Sequence, residues 1–254
     1  MYRIIKSVSE WSFIRSSNLL ANKKIGFVPT MGALHKGHAS LFKRSVDEND
    51  ITIVSVFVNP TQFNDPKDLQ NYPRTYEADM ELLRELKVDY LFYPWYKEIY
   101  PDNYKYKVTE TELSKILCGA HRPGHFDGVL TVVMKLLNII RPHKTYFGEK
   151  DYQQYKLIDG MCKAFFMDVE IIPCPIIRDE DGLAVSSRNV LLSDEERKLA
   201  LNFPRLLLSD KTAVEIKIEL EELGIKVDYI HEIDGRRYGT VFVGKTRLID
   251  NVEL

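Results

Sequence analysis

Two histidines, His35 and His38, lie close together in a segment whose apolar pattern changes from strand-like to helical. The run ending at Val28 is typical of a buried strand, Pro29 and the glycines after it break regular structure, and helical spacing begins at Gly37. The first turn of a helix presents unpaired N–H groups and the positive end of the helix dipole, so it binds anions. Imidazoles beside it donate hydrogen bonds to phosphate oxygens. The pattern predicts a phosphate-binding loop, although these residues alone fit surface histidines equally well.

A second set of polar side chains suits the same anion. Residues 186–188, Ser-Ser-Arg, place two hydroxyls and a guanidinium in succession, which predicts a phosphate-binding loop. Lys150 lies between a short predicted strand and a helix, where its ammonium can bind a phosphate; a solvated lysine is the less favoured interpretation. Asp151 either accepts from ribose hydroxyls or caps that helix. Gln154 lies one helical turn after Lys150 and therefore shares its face.

Gln62 follows another apolar run, residues 51–58, and lies in a loop. Its amide both donates and accepts, which suits a ligand bearing hydroxyl and carboxylate groups, although an isolated loop glutamine more often faces water. Asn59 either shapes that loop or contacts the ligand. Arg122 is a further candidate for carboxylate or phosphate binding, whereas structural roles are favoured for the histidines on either side of it. Asp79 is a weak candidate for a place beside a metal ion.

The elements that must position these groups alternate between strands and helices, which predicts an α/β fold with a doubly wound parallel sheet. Ligands bind beyond the carboxyl ends of such strands, where the loops after residues 28 and 58 lie. Pro173, Pro175 and a charged run mark a hinge, so we expect domains at 1–178 and 179–254, the second a small α+β domain. The expected strands are 25–28, 51–58, 88–93, 145–147, 169–174, 227–230 and 238–243, and the expected helices include one capped by Ser9 and others at 76–87, 128–140 and 212–223.

Composition narrows the classes of function. The chain has 254 residues, 44% of them hydrophobic, and a net charge of -2, so a large core is expected and a nucleic-acid partner is not. The aromatic and basic stretch at 95–107 is better explained by loop packing than by a nucleic-acid platform. No apolar run is long enough to cross a membrane, and the N-terminus lacks a signal-peptide pattern. The three cysteines are odd in number and without metal-site spacing, which indicates reduced thiols in a cytoplasmic protein.

The motif PTMGALHKGH resembles the HIGH-type motif of nucleotidyltransferases and class I synthetases. The longer series of motifs is similar to the pantothenate synthetase (pantoate–β-alanine ligase) family and follows the family's order along almost the whole chain. A single histidine motif is weak evidence, whereas the full series is specific. The matching blocks are FVNPTQF (57–63), YPRT (72–75), HRPGHFDGVLTVVMKLLNIIRP (121–142), FGEKDYQQ (147–154), DGLAVSSRN (181–189) and GKTRLIDN (244–251).

The resemblance implies a Rossmann-like fold with a C-terminal lid domain, a cytoplasmic homodimer, and ATP-dependent joining of pantoate and β-alanine through pantoyl adenylate, with Mg²⁺ accompanying ATP and no protein metal ligands. It implies catalytic roles for His38, His35, Lys150 and Arg188, contacts of Gln62 and Gln154 with pantoate, and a contact of Gln62 with β-alanine. Family members commonly carry Met where this chain has Val185, and residues 204–240 look shorter than in typical members. The implied ATP contacts are Met31, Gly32, Ala33, Leu34, His35, Lys36, Gly37, His38, Gly148, Glu149, Lys150, Asp151, Ile177, Val185, Ser186, Ser187 and Arg188.

Two other functions fit parts of this pattern. Another nucleotidylyltransferase or acid-adenylating enzyme would exchange pyrophosphate with an acid other than pantoate, and the paired glutamines and the missing basic tRNA-binding domain argue against it. A non-catalytic nucleotide sensor would bind ATP without forming AMP. The complete set of histidine, lysine, serine and arginine side chains argues against the sensor.

Overall fold

The computed structural model describes residues 2–254 and divides the chain into two compact units. The first unit comprises residues 2–34, 38–148 and 153–174, and the second comprises 35–37, 149–152 and 175–254. Every helix among the described residues is too short or too polar to span a bilayer. The three cysteines are free thiols.

The first unit is built on a six-stranded sheet in the order β1-β4-β3-β2-β5-β6, and every neighbouring pair of strands is parallel. The predicted α/β class is therefore confirmed. Strand β2 pairs with β3 on one side and with β5 on the other, so the chain order reverses there, and the carboxyl ends of these strands border the crevice where α/β sheets bind ligands. The elements are β1 (Arg3–Ile5), α1 (Val8–Arg15), β2 (Ile25–Thr30), α2 (Lys36–Glu48), β3 (Ile51–Val56), α3 (Pro66–Asn71), α4 (Tyr76–Glu85), β4 (Tyr90–Phe92), α5 (Tyr96–Ile99), α6 (Cys118–His121), α7 (His125–Ile140), β5 (Lys144–Gly148), α8 (Tyr152–Ala164) and β6 (Glu170–Cys174).

The central strands match their sequence pattern. In β3 every residue after Ile51 is buried, as expected for a strand covered by helices on both faces. The predicted break at Pro29 is wrong, because β2 continues to Thr30. Strand β2 pairs with β5 only through Gly26 and Phe27, so beyond them it has one free side, where a residue without an N–H is tolerated.

Helix boundaries differ from the predictions where capping decides them. Helix α1 is capped by Ser7, whose hydroxyl accepts from the Glu10 N–H, and not by Ser9. Helix α7 begins at His125, three residues earlier than expected, because Gly124 adopts a left-handed conformation at φ 77° and turns the chain into the helix.

The second unit contains the antiparallel sheet β7-β8-β9 and three helices around a separate apolar core. Capping boxes start two of the helices, one between Ser193 and Glu196 and one between Thr212 and Glu215. The last strand and the middle helix were not expected from the sequence. The elements are α9 (Asp194–Ala200), α10 (Asn202–Leu207), α11 (Ala213–Glu222), β7 (Lys226–Ile233), β8 (Arg236–Val243) and β9 (Thr246–Glu253).

Candidate active site

Residues 59–62, which we call the glutamine turn, follow β3 and form a short 3-10 helix. Asn59 is only 1% exposed, and its side-chain N–H groups donate to Gln62 Oε1 at 3.0 Å and to the Gly128 carbonyl at 3.2 Å. Its Oδ1 accepts from the hydroxyls of Thr61 and Tyr100, each at 2.9 Å. Because Asn59 occupies the side-chain oxygen of Gln62, the Gln62 amide presents mainly its N–H groups, and Nε2 lies 3.3 Å from the Met31 sulfur.

The backbone of the glutamine turn is held by the segment preceding α7. His125 Nδ1 donates to the Gln62 carbonyl at 2.8 Å, which leaves Nε2 to accept from Arg122 Nη1 at 3.1 Å. Arg122 Nη2 also donates to the Gln62 carbonyl, at 3.3 Å. A Cβ at Gly128 would lie 2.5 Å from the Thr61 carbonyl oxygen, so only glycine allows α7 to pack this closely against the turn. Arg122 thus contacts the turn itself.

A cavity of about 160 Å³ adjoins the glutamine turn within the first unit. Its lining includes Gln62, Tyr104, Lys107, His125 and Asp127. Pockets for drug-sized ligands usually exceed about 300 Å³, so the enclosed part of this cavity is suited to a small molecule.

The loop after β2 is fixed by Asp79 of helix α4. The Asp79 side chain is 3% exposed and accepts from the N–H groups of Ala33 at 3.0 Å and Leu34 at 2.8 Å. It also accepts from the Thr75 hydroxyl at 2.8 Å. Ala33 has φ 50°, a left-handed conformation that is costly for a residue with a side chain, and these hydrogen bonds stabilise it. Asp79 therefore shapes the loop that carries Met31 and Gly32.

His38 lies in the first turn of α2 and stacks on Phe42, with ring centroids 6.4 Å apart. The far end of α2 is fixed by Glu48, which accepts from Arg44 at 2.8 Å and from Lys144 and Tyr146 at 3.0 Å each. These bonds, that of Arg44 foremost, lower the pKa of Glu48 to about 2. The carboxylate thus stays ionised and holds α2 against β5.

His35 belongs to the second unit, together with Lys36 and Gly37. The Gly37 N–H donates to His35 Nδ1 at 3.2 Å, which makes Nε2 the protonated nitrogen of the neutral ring. Burial, and next the nearby charge of Lys150, lower the pKa of His35 to about 4, against smaller opposing contributions from Asp151 and Asp179. A Cβ at Gly37 would lie 3.0 Å from the His35 ring, so glycine gives the imidazole room to fold back. His35 is a neutral hydrogen-bond donor at physiological pH.

Lys150 lies in the 3-10 turn Glu149–Asp151, which directly follows Gly148 at the end of β5. Its side chain is 20% exposed, and its ammonium lies 3.8 Å from the Asp151 carboxylate. The second unit therefore places Lys150 near enough to His35 to affect the titration of that imidazole.

The two glutamines at the start of α8 differ in environment. Gln153 is 6% exposed and donates to the carbonyls of Leu113 and Ile116, each at 2.8 Å, while accepting from the Cys118 N–H at 3.1 Å. Gln154 is partly exposed, and its amide makes no hydrogen bond with another described residue. Only Gln154 is available to a ligand.

Residues 185–189, which we call the serine loop, are held mainly through the backbone. The Val185 N–H donates to the Ile177 carbonyl at 2.9 Å, the Arg188 N–H to the Ser186 hydroxyl at 3.2 Å, and the Asn189 side chain to the Ala184 carbonyl at 3.1 Å. Val185 is buried, whereas residues 186–188 are partly exposed. The hydroxyls and guanidinium of the loop thus lie at the surface of the second unit.

Residues 178–184 form a hairpin that leads into the serine loop, and ion pairs support it. Arg197 of α9 contacts the carboxylates of Asp179 and Asp181, each at 2.8 Å. Arg178 contacts both oxygens of Asp250, at 2.6 and 2.9 Å.

Comparison with known proteins decides among the functions that these groups could serve. The model of the family described as pantoate-beta-alanine ligase matches residues 3–253. The chain belongs to the pantoate–β-alanine ligase family. It is 52% identical to a pantothenate synthetase of Bdellovibrio bacteriovorus and 51% identical to one of Legionella pneumophila, over 100% and 98% of both chains respectively.

Solved members of the pantoate–β-alanine ligase family share the fold. The Francisella tularensis pantoate-beta-alanine ligase, crystallised with beta-gamma ATP and beta-alanine, superposes with a TM-score of 0.95 at 44% identity, covering 100% of this chain and 98% of that one. Pantothenate synthetase from Thermus thermophilus gives 0.89 at 39% identity, with 99% of each chain covered. As a member of this family, the chain is a ligase.

Sequence reasoning missed several residues that position the predicted site of this ligase. Asp79 was expected only as a weak candidate beside a metal ion, but its carboxylate holds the loop after β2, and Asn251 of β9 donates to the carbonyls of Glu149 and Lys150. Asp79 lies outside the matching motifs and Asn251 ends one of them, but burial at these positions is not visible in the sequence.

Proposed function

We propose that this protein condenses pantoate with β-alanine at the expense of ATP, through a pantoyl-adenylate intermediate. A pantoate carboxylate oxygen bonds to the α-phosphorus of ATP, and pyrophosphate leaves. The β-alanine amine, having lost its ammonium proton, then bonds to the acyl carbon, AMP leaves with the bonding electrons, and the nitrogen releases a second proton to solvent as the amide forms. The observation that supports this most directly is the match of the whole chain to the family, including the Francisella tularensis ligase crystallised with beta-gamma ATP and beta-alanine.

The acid substrates would bind at the two available glutamine amides. Asn59 binds the Gln62 side-chain oxygen and leaves Nε2 beside the Met31 sulfur, and this donor suits a carboxylate or hydroxyl oxygen of pantoate and then the carboxylate of β-alanine. Gln154 would donate to pantoate from the start of α8. These contacts contribute orientation, which accelerates an attack between two bound groups.

The histidines would stabilise negative charge on the α-phosphate. His35 is neutral with a proton on Nε2, so it can donate a hydrogen bond without being a proton source near pH 7. His38 would donate a second hydrogen bond and could also supply a proton. Donors aimed at charge that develops in the transition state give the largest single contribution to many enzymatic rates.

The pyrophosphate would leave against cations and hydroxyls of the second unit, from Lys150 and residues 186–188 of the serine loop. An ammonium provides a point charge, and a guanidinium can bind two phosphate oxygens at once. Backbone and side chains of the remaining predicted ATP contacts, among them the Ile177 backbone and Val185, would surround the nucleotide.

Mg²⁺ would enter this chemistry as the companion of the ATP phosphates, whose charge it neutralises. The residues fit a role without protein ligands: within residues 2–254 no group of three or more His, Cys, Asp or Glu side chains could hold a metal ion, and the Asp79 oxygens accept hydrogen bonds from Ala33, Leu34 and Thr75.

The cytoplasmic location, the homodimer, the domain limits and the shortened segment 204–240 stay predictions.

The test is AMP release from ATP and pantoate, measured with and without β-alanine. Turnover that requires all three substrates supports the proposal. Pyrophosphate exchange with pantoate but no turnover on adding β-alanine would restrict the activity to adenylation. ATP binding without AMP formation would contradict the proposal in favour of a sensor, and exchange with a different acid would favour another acid-adenylating enzyme.

A further inference from the structure

Two adjacent residues near the end of the chain, Asp250 and Asn251, are buried in β9 although both are polar, with exposures of 4% and 2%. Neighbouring residues of a strand point to opposite faces, so the two side chains reach different parts of the second unit. Buried polar groups are costly unless they are hydrogen-bonded, so their partners indicate what the pair does.

The Asn251 amide is fully used. Its two N–H groups donate to the carbonyls of Glu149 at 2.8 Å and Lys150 at 3.0 Å, and its oxygen accepts from Arg236 at 2.6 Å. The guanidinium of Arg236 in turn lies over the Tyr152 ring, 3.8 Å from its centroid. Asn251 therefore fixes the backbone of the turn that carries the Lys150 ammonium.

The Asp250 carboxylate holds the hairpin before the serine loop. It pairs with both terminal nitrogens of Arg178 and accepts from the Asn251 N–H at 2.8 Å. Arg178 also donates to the Gly182 carbonyl at 3.1 Å, and its backbone forms a β-bridge with Ala184. Ala184 immediately precedes residues 185–189, so Asp250 acts on the start of the serine loop.

We propose that the Asp250–Asn251 pair is a positioning element that fixes Lys150 and the serine loop at one spacing for the departing pyrophosphate. Both segments and the pair lie within the second unit, and β9 contacts the turn that carries Lys150 and, through Arg178, the hairpin that precedes the serine loop. The inference rests on the proposed function, because that proposal assigns both segments to the binding of the ATP phosphates. A displacement of about 1 Å in a positioned group can cost about 100-fold in rate, so loss of the contacts made by Asp250 and Asn251 should lower the rate measurably.

The experiment compares Asn251→Asp and Asp250→Asn with Asp228→Asn. Asp228 pairs with Arg247 of β9 at 3.2 Å, so the control removes a carboxylate from a different ion pair of the same strand. Asn251→Asp replaces two donors by a carboxylate facing two carbonyl oxygens. For Asn251→Asp and Asp250→Asn we expect the kcat of pyrophosphate exchange with pantoate to fall about 10- to 100-fold. The KM for pantoate should stay within about twofold of that of Asp228→Asn. Equal kcat and equal KM for ATP in Asn251→Asp and Asp228→Asn would overturn the proposal.

A double-mutant cycle separates positioning from loss of fold. If Asn251 acts through Lys150, the loss of affinity for a non-hydrolysable ATP analogue caused by Asn251→Asp should largely disappear in the Lys150→Ala background. Additive losses would show that Asn251 does not act through Lys150 and would contradict the proposal. Should Asn251→Asp not fold, Arg178→Lys carries the same test for the serine loop, because that side chain is 24% exposed. Binding of the analogue requires no turnover. The positioning role of Asn251 is therefore tested even if the unaltered protein forms no AMP and the proposed function fails.

Discussion

The glutamine turn and the serine loop are fixed by different kinds of interaction. The glutamine turn is held by buried hydrogen bonds and close packing, with Asn59 1% exposed and Gly128 against the backbone. The hairpin that precedes the serine loop is supported by ion pairs of Arg197 with two aspartates, and the three side chains are 34%, 24% and 29% exposed. Buried hydrogen bonds are costly to break, whereas exposed ion pairs contribute little and are screened by salt.

The difference suits the ligands that we assign to each region. The glutamine turn would recognise small acids by the direction of an amide, which a rigid support preserves. The serine loop would receive the multiple negative charges of pyrophosphate, which hydroxyls and a guanidinium at the surface of the second unit can bind.

The largest effect is expected from His38, which the first unit contributes to the predicted set of phosphate-binding residues. His38→Ala should reduce pantoate-dependent pyrophosphate exchange by about 100- to 1,000-fold, since it removes a positioned donor to developing charge. The exposed His231 of β7 provides the control His231→Ala, which should leave exchange unchanged. A His38→Ala protein that turns over normally, or that circular dichroism shows to be unfolded, contradicts the role given to His38.

Gly128→Ala should break the glutamine turn directly. The new methyl group would meet the Thr61 carbonyl oxygen at 2.5 Å and Gln62 Cα at 2.8 Å, both of them backbone atoms. Overpacking of this kind costs about 1–3 kcal/mol in the free energy of unfolding, and we expect weaker saturation by pantoate as well. In the control Gly160→Ala, a Cβ meets nothing within 4 Å, and an alanine inside α8 should stabilise the protein by about 0.5–1 kcal/mol. Equal urea midpoints for the two variants would refute the packing argument.

The adjacent glutamines of α8 separate support from recognition. Gln153→Ala leaves two carbonyls and one N–H without their partner, so the free energy of unfolding should fall by about 1–3 kcal/mol. Gln154→Ala should change it by less than about 0.5 kcal/mol, as for other surface substitutions. Its effect should be a raised KM for pantoate. Thermal unfolding and substrate saturation of both variants check this, and a Gln154→Ala enzyme with an unchanged KM would remove Gln154 from the site.

The electrostatic environment of the second unit should be visible in the titration of His35. Its pKa of about 4 lies below the ordinary value of 6.5, so between these pH values the unfolded chain binds a proton that the native ring does not. Stability should therefore fall as the pH is lowered through this window, and less steeply in His35→Gln. Histidine Cε1–H resonances followed by NMR give the pKa directly, and a His35 signal that titrates near 6.5 would contradict the burial argument.

The smallest effect is expected from the ion pairs beside the serine loop. Asp181→Asn removes one of the two carboxylates that Arg197 contacts and should cost less than about 1 kcal/mol in stability, because the pair is partly exposed. The KM for ATP should rise slightly at low salt, and the difference from the unaltered protein should vanish near 1 M salt, where the screening length is about 3 Å. A KM difference that persists at high salt would show that the pair acts by more than exposed charge.

Sequence patterns predicted five of the six strands of the parallel sheet, because apolar and β-branched runs such as residues 51–58 are visible in the sequence, whereas the three-residue edge strand β1 was not expected. The run ended where β3 did, within two residues. Strand β9 was missed because its sequence, TRLIDNVE, mixes charged and apolar residues, and its pairing with β8 is settled only by tertiary contacts. The small helix α10 was missed for the same reason.

At the candidate site, the sequence motifs identified the residues that could touch ligands but not those that orient them. The amide of Gln62 was expected both to donate and to accept, but the sequence did not show that Asn59 is the partner of its oxygen. The unequal burial of Gln153 and Gln154 could not be predicted from spacing, because both lie in the same short motif and only packing against residues 113–118 distinguishes them.

The contacts of Asn251 with residues 149 and 150 also bear on how the gene can be divided. The second unit is assembled from three separate stretches of sequence, two of them only three and four residues long, at 35–37 and 149–152. A fragment beginning at residue 175 would carry Asn251 without the carbonyls that its amide binds, and would leave two buried donors unsatisfied. Recombination between related genes at the apparent hinge would exchange most of this unit, yet the imported asparagine would have to fit a turn encoded by the other parent.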